Sequence, residues 1–113
     1  MSVISEWIEE IAGAEPIEAV VIGPHDADTF RGPDHTPFNA APINQVISWD
    51  RAKPFLSYEY DSGFGGADCH PVFAWTPTKV ITIIEYDGAT GPAWFPRNPT
   101  AIQPGFDGVE AWP

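Results

Sequence analysis

Basic residues are scarce in this 113-residue chain, which has five Lys and Arg against sixteen Asp and Glu. The formal net charge at pH 7 is therefore -11, and like charges repel one another most when a chain is compact. A surface of this sign is repelled by nucleic acid and by anionic lipid. The composition argues against direct binding to DNA, RNA or a membrane, and it favours a basic protein as partner.

Cysteine and long apolar runs are also nearly missing. Cys69 is the one cysteine, so an intramolecular disulfide is impossible. The longest near-apolar stretch, Val80 to Ile84, is too short to span a bilayer. The first residues lack the basic and apolar regions of a signal peptide. We therefore expect a cytoplasmic protein whose fold does not depend on oxidation.

Apolar and aromatic residues, in contrast, make up 43% and 13% of the chain. Five Trp, seven Phe and three Tyr supply enough apolar surface for a hydrophobic core. The length fits one domain, residues 1–113. Thirteen Pro and ten Gly predict many turns rather than long helices.

The first regular pattern is an apolar stripe at helical spacing, formed by Val3, Ile4, Trp7, Ile8, Ile11 and Ala12. It predicts an amphipathic helix with Ser2 as its N-cap and Gly13, in the left-handed conformation, after its end. The β-branched run from Ile17 to Ile22 predicts a strand. Residues 23–42 are rich in Gly and Pro and predict a long loop, which is often functional.

Two short patterns follow this loop. The spacing of Ile43, Val46 and Ile47 fits either a helix or a strand. Residues 48–53 predict one helical turn that Ser48 caps and that ends before Pro54.

The second half of the chain predicts an antiparallel sheet. From Phe55 to Asp61 apolar and polar residues alternate, which indicates a first strand. Val72 to Trp75 and Lys79 to Asp87 predict two more, the last of them central because both its faces are rather apolar. Residues 87–91 predict a five-residue hairpin loop, and Ala93 to Pro96 predicts a short edge strand.

Together these elements predict an α+β fold. It consists of an antiparallel meander of three to five strands, an N-terminal helix packed on one face, and long irregular loops. The strand from Ile17 to Ile22 is expected to add to an edge. The C-terminal segment is expected to dock on the domain through Ile102, Phe106, Val109 and Trp112.

Thiol, imidazole and carboxylate groups occur close together at Asp61, Asp68, Cys69 and His70. Such groups can bind a metal or small molecule, and His25 or His35 from the long loop would complete the set. Against this site, the chain has no second cysteine, and adjacent residues of a strand point to opposite faces. The alternative is a glycine-rich loop in which Cys69 is buried as a small apolar residue. We expect no catalytic residue, no cofactor and no metal.

The acidic surface is a second candidate site. Carboxylates spaced along a helix and a sheet edge can imitate nucleic-acid phosphates in a basic groove. The predicted contact residues are Glu6, Glu9, Glu10, Glu59, Glu85 and, as an exposed aromatic anchor, Trp94. If the strands pair as predicted, Glu59 and Glu85 share one face of the sheet. The alternative is that the charge only maintains solubility and that the aromatic residue packs in the core.

Six short stretches of the second half form a recognisable pattern: Trp49-Asp50-Arg51-Ala52, Tyr58-Glu59-Tyr60-Asp61-Ser62-Gly63-Phe64-Gly65, Asp68-Cys69-His70-Pro71, Ala74-Trp75-Thr76, Glu85-Tyr86-Asp87-Gly88 and Pro96-Arg97-Asn98-Pro99. The pattern resembles small acidic accessory proteins encoded by bacterial viruses. The resemblance implies a small soluble protein made in a bacterial cytoplasm. Some proteins of that kind inhibit host enzymes or defence systems by covering a nucleic-acid-binding surface.

The leading hypothesis is a non-enzymatic binding protein whose acidic face docks on a basic protein surface, as a nucleic-acid-mimicking inhibitor of a host enzyme or defence system. One alternative is a small-molecule or metal-binding module at Asp68-Cys69-His70. Another is a structural or assembly component of a viral particle. A monomer and a small homo-oligomer both fit the sequence.

Overall fold

The computed structural model describes residues 2–24, 40–60, 69–86 and 89–109. The elements in this part are, in chain order, helix α1 (Ile4–Ala12), strand β1 (Ala19–Ile22), helix α2 (Trp49–Ala52), a 3-10 helix (Lys53–Leu56), and strands β2 (Val72–Trp75), β3 (Lys79–Tyr86) and β4 (Ala89–Pro96). The fold is α+β, as the sequence predicts. Within the described ranges, no helix has the length and apolarity needed to cross a membrane.

The four strands form one antiparallel sheet in the order β1-β2-β3-β4. This arrangement confirms the predicted meander, with β1 at one edge and β4 at the other. The β-branched strand β3 lies between β2 and β4, which confirms its predicted central position. A central strand is hydrogen-bonded to a neighbour along each of its two edges, and the β-branched residues Val and Ile pack well between neighbouring strands.

Helix α1 forms because its apolar residues recur along one side. Ile4 and Ile8 are fully buried, and the helix packs against β3 and β4. Ser2 is not its N-cap, because that position is held by Val3, whose side chain makes no capping bond. Gly13 follows the helix with φ 61° and ψ -122°. The predicted positive φ is therefore confirmed, but the conformation is not the left-handed helical one.

The segment between α2 and residue 60 departs from the prediction. The Ser48 hydroxyl accepts a hydrogen bond from the Arg51 amide at 3.2 Å, which confirms the cap. Pro54 does not end the helical region, because it lies in the first turn of the 3-10 helix, where a missing amide donor costs nothing. The predicted strand from Phe55 is wrong: residues 57–59 have no regular structure, and only Tyr60 forms an isolated bridge.

The two faces of the sheet differ because side chains alternate along each strand. One face, under α1, contributes to the core with Val20, Ile22, Val72, Ala74 and Ile81. The other face, which we call the open face, consists of Ala19, Val21, Phe73, Trp75, Val80, Thr82, Ile84, Tyr86, Ala89, Gly91, Ala93 and Phe95. None of the open-face side chains is charged.

Short backbone contacts cover part of both sheet edges. On β1, Val20 bridges to Ile47 and Ile22 to Ile43, so residues 43–47 form two bridges rather than a helix or a regular strand. On β4, the Val109 amide donates to the Trp94 carbonyl at 2.7 Å. The C-terminal segment therefore docks through its main chain at this point.

The apolar side chains of the C-terminal segment do not all dock as predicted. Phe106 is fully exposed and Ile102 is 41% exposed, and Trp112 lies outside the described residues. The segment is held by the backbone bond at Val109 and by a tight turn in which the Gly105 amide donates to the Gly108 carbonyl at 2.7 Å. Docking therefore does not depend on burial of Phe106 or Ile102.

Strand β4 is longer than the sequence suggests, because Tyr86 already pairs with Ala89. The predicted five-residue hairpin loop is therefore wrong. The carbonyl of Trp94 points outward to Val109, so the alternate positions Pro92 and Pro96 also point away from β3. Proline has no amide hydrogen to donate, so these outward edge positions suit it and discourage pairing with another strand.

Candidate functional site

Tyr60 connects three parts of the molecule at one end of the fold. Its backbone amide and carbonyl bond those of Ser2, at 3.0 and 2.9 Å. Its ring meets the Trp7 ring edge-on, with 6.2 Å between the centroids. Its hydroxyl lies 2.8 Å from Oγ1 of Thr90 on β4. Because Tyr60 is 2% exposed, these contacts fix the start of α1 and the end of the sheet relative to each other.

Three exposed carboxylates belong to the segments that Tyr60 joins. Glu59 precedes Tyr60, Glu85 pairs across the sheet with Thr90, and Glu6 lies in the first turn of α1. None of the three forms an ion pair with another described residue. We call Glu6, Glu59 and Glu85 the acidic end.

Tyr60, rather than strand pairing, connects the segment of Glu59 to the strand pair that carries Glu85. The prediction that these two glutamates share a face of the sheet is wrong, because Glu59 lies outside every strand. No pattern in the sequence predicts the connecting role of Tyr60. The sequence signal for burial of Tyr60 is the alternation of Leu56 and Tyr60 with the polar residues Ser57 and Glu59. The structure keeps this alternation of buried and exposed residues without strand pairing.

Elsewhere, basic side chains compensate the acids. Salt bridges join Lys53 to Glu9 at 2.9 Å, Lys79 to Glu15 at 3.5 Å, and Arg97 to Glu18. These pairs use three of the five basic residues of the chain. Of the predicted helix residues, Glu9 is thus paired, whereas Glu6 and Glu10 have no ion pair in the described part.

Strand β3 separates the unpaired glutamate Glu85 at one of its ends from the salt-bridged Lys79 at the other. Lys79 begins the strand and Glu85 lies near its other end, roughly 20 Å away at about 3.3 Å per residue. A charge this far from Lys79 is screened from it at physiological ionic strength, where the Debye length is about 8 Å. Of the six described carboxylates without an ion pair, Glu6, Glu10, Glu59 and Glu85 therefore lie on α1 or at the acidic end, and Asp50 and Asp107 lie elsewhere.

Glu15, in contrast to the glutamates of the acidic end, is held by several partners in the described part of the chain. The Thr78 hydroxyl donates to its Oε2 at 2.6 Å. Hydrogen bonds from the hydroxyls of Thr76 and Thr78, assisted by the charge of Lys79, lower the pKa of Glu15 to about 2. This carboxylate is committed to the turn that precedes β3 and is poorly placed for a partner.

Trp94 lies on the edge strand, as predicted, but it is only partly exposed and packs against the core. The Lys79 ammonium lies 5.2 Å from its ring centroid, in cation–π geometry. Its ring also lines an uncharged cleft of about 270 Å³ together with Thr78, Pro96, Asn98, Pro99, Thr100 and Ile102. As an anchor, Trp94 would therefore receive a partner side chain in this cleft rather than project from the surface.

Cys69 and His70 are buried, at 3% and 2% exposure. The His70 amide donates to the Tyr58 hydroxyl oxygen at 2.9 Å, and that oxygen lies 2.9 Å from Nδ1 of the same histidine. Which of the two atoms donates in this second contact depends on the tautomer of the imidazole. Burial raises the pKa of Tyr58 and of Tyr60 above the ordinary value of 10.0.

The remaining members of the proposed ligand set, Asp61, Asp68, His25 and His35, lie outside the described residues. Among the residues that the structure does describe, no three His, Cys, Asp or Glu side chains gather to hold a metal ion. Cys69 is buried in the core cluster, which is the environment expected for a small apolar residue.

The open face carries a second recess that the sequence analysis missed. Val21, Phe73 and Thr82 form one row across three strands, and they line a groove of about 200 Å³ with Gly23, Asn44, Pro71 and Val72. Phe73 is 53% exposed and Phe95 is 45% exposed on the same face. The sequence signal for this recess is the apolar character of both faces of β3, which equally predicts a central strand.

No protein-family model matches the sequence, and comparisons with curated proteins and with solved structures also return no match.

Proposed function

We propose that the chain is a non-enzymatic binding protein whose acidic end docks on a basic surface of another protein. The observation that carries this proposal is the uneven compensation of charge. Lys53, Lys79 and Arg97 are engaged by other glutamates. Glu6, Glu59 and Glu85 are exposed and lack an ion pair among the described residues, so their carboxylates are available to a partner.

The contacts of Tyr60 support the proposal because they hold the acidic end in a fixed arrangement. A preorganised set of charges loses less conformational entropy on binding than a set carried by a flexible segment. Exposed charges of one sign also attract an oppositely charged partner over a distance and raise the association rate. We expect fast association that weakens as salt is added.

The resemblance to small accessory proteins of bacterial viruses suggests which basic surface is meant. In that setting the partner is a host enzyme or defence protein whose basic groove otherwise holds nucleic acid. Double-stranded DNA binds such grooves through its closely spaced phosphate charges, and carboxylates on a rigid surface present charge of the same sign. The net charge of -11 is in keeping with this role.

A basic probe of known sequence tests the charge-driven part of the proposal. Fluorescence anisotropy would measure the affinity for a labelled oligo-arginine peptide at several salt concentrations. The variant Glu59→Gln/Glu85→Gln removes two charges from the acidic end, and Asp50→Asn/Asp107→Asn removes two exposed charges elsewhere. We expect the first pair to weaken binding several-fold more than the second, and salt to weaken binding throughout.

Two results would contradict the proposal. Equal losses in the two double variants would mean that net charge alone attracts the probe, without a site at the acidic end. Affinity that does not change with salt would exclude charge-driven docking. If the peptide experiment gives the expected result, capture of a basic protein from bacterial lysate and its elution by a salt gradient would identify the partner. Competition with DNA for that protein would test the mimicry.

A further inference from the structure

The open face of the sheet stands out because it is uncharged in a chain that is 19% Asp, Glu, Lys and Arg. Its exposed members include Phe73, Tyr86 and Phe95, at 53%, 84% and 45% exposure. Phe73 and Trp75 form an edge-to-face pair with 6.1 Å between ring centroids. Both described helices belong to the opposite side, where Ile4, Ile8 and Ala52 join the core.

We propose that this open face is the contact between two copies of the chain, packed sheet against sheet about a twofold axis. A second copy supplies a matching surface, because an isologous contact brings the same uncharged side chains together from both sides. A basic partner, in contrast, would have to bury its own charges against a face that offers no carboxylate. Charge matching therefore favours a second copy over the basic protein that the acidic end attracts.

The position of the acidic residues permits this contact in spite of the net charge. Glu6, Glu9 and Glu10 lie on α1, on the far side of the sheet from the open face. Packed sheets lie about 10 Å apart, and a helix layer adds about 10 Å on each side. The α1 carboxylates of two copies would thus be roughly 30 Å apart, well beyond the Debye length of about 8 Å at physiological salt.

The size of the face predicts a weak dimer. Strands spaced about 4.8 Å apart with a rise of about 3.3 Å per residue give a flat footprint on the order of 400 Å². This is as large as the biggest apolar patches of typical monomers, which are often functional. It is small beside the roughly 800 Å² per partner of a standard interface. The dimer should therefore be in exchange with the monomer and should depend on protein concentration.

Sedimentation equilibrium of the full chain from about 10 µM to about 1 mM tests the proposal. We expect a monomer–dimer equilibrium that added salt leaves unchanged or strengthens, opposite to the salt effect on the oligo-arginine peptide. Phe73→Glu and Phe95→Glu each place two like charges at the contact and should weaken association at least tenfold. Ile102→Glu introduces the same charge at a 41% exposed apolar residue beside Trp94 and Pro96, on the other face of the sheet, and should leave association unchanged.

NMR dilution of the unaltered protein gives a second readout, which does not depend on the folding of any variant. Amide shifts that change with concentration should belong to the strand residues, with the largest changes around Phe73 and Phe95. A monomer over the whole concentration range would overturn the proposal, and so would a dimer that Phe73→Glu and Phe95→Glu leave intact. Binding of the basic peptide at the acidic end does not depend on either outcome.

Discussion

The hydroxyl of Tyr60 lies 2.8 Å from Oγ1 of Thr90, although the two residues are 30 positions apart in the chain. This contact joins the irregular segment after the 3-10 helix to the β3–β4 hairpin. The backbone of the same tyrosine pairs with Ser2, next to the start of α1. The arrangement of the acidic end therefore depends on one buried side chain.

Removal of this hydroxyl should be measurable as a loss of stability. Tyr60→Phe leaves the Thr90 hydroxyl without its phenol partner, and a buried hydrogen bond contributes about 0.5–1.5 kcal/mol. We expect a decrease of that size in the free energy of unfolding from chemical denaturation. Tyr86→Phe, at a tyrosine that is 84% exposed, is the control and should change it by less than about 0.5 kcal/mol. Equal effects would mean that the Tyr60–Thr90 contact contributes nothing.

Alkaline pH should destabilise the protein through its buried tyrosines. Burial raises the folded-state pKa of Tyr58 and Tyr60 above 10.0, the value expected once the chain unfolds. Unfolding above that pH releases protons, so the stability present below pH 10 is lost progressively as the pH rises further. Denaturation midpoints measured from pH 8 upward should decrease, and Tyr58→Phe/Tyr60→Phe should show a shallower decrease.

Acid should destabilise the protein through Glu15, because the pKa of this carboxyl is lowered on folding, whereas those of the two tyrosines are raised. Its folded pKa of about 2 is below the ordinary 4.5, so its contribution is present above pH 4.5 and is lost as the pH falls toward 2. Thermal denaturation of Glu15→Gln should therefore show a weaker dependence on pH in this window than the parent protein shows. Glu10→Gln, at an exposed glutamate with no ion pair in the described part, should keep the parent's dependence.

A methyl group at Gly108 should release the C-terminal segment. Gly108 has φ +91°, and a Cβ there would lie 2.4 Å from the Trp94 carbonyl oxygen. That oxygen accepts the Val109 amide, so Gly108→Ala should speed hydrogen exchange of this amide at least tenfold. At Gly13, with φ +61° and nothing within 4 Å, alanine should cost about 1–3 kcal/mol of backbone strain. Gly13→Ala is therefore the control for a strained glycine replacement away from the C-terminal segment, and it should leave the hydrogen-exchange rate of the Val109 amide unchanged.

Local patterns predicted much of the fold. The apolar stripe of α1, the β-branched run of β3 and the prolines of β4 each constrain their own segment, and the structure confirms a helix, a central strand and an edge strand there. The pattern failed after Phe55 because alternating burial does not require strand pairing. Leu56 and Tyr60 point into the core although only Tyr60 forms a backbone bridge.

The sequence by itself determined the charge, the α+β class and the central position of β3, because composition and periodicity act locally along the chain. Only the tertiary structure decided which carboxylates are compensated. Lys53 reaches Glu9 across 44 positions and Arg97 reaches Glu18 across 79, and no local pattern encodes such distances. The open face was likewise decided by packing: α1 covers one side of the sheet, and the uncharged residues of the other side, including Phe73 and Phe95, stay partly exposed.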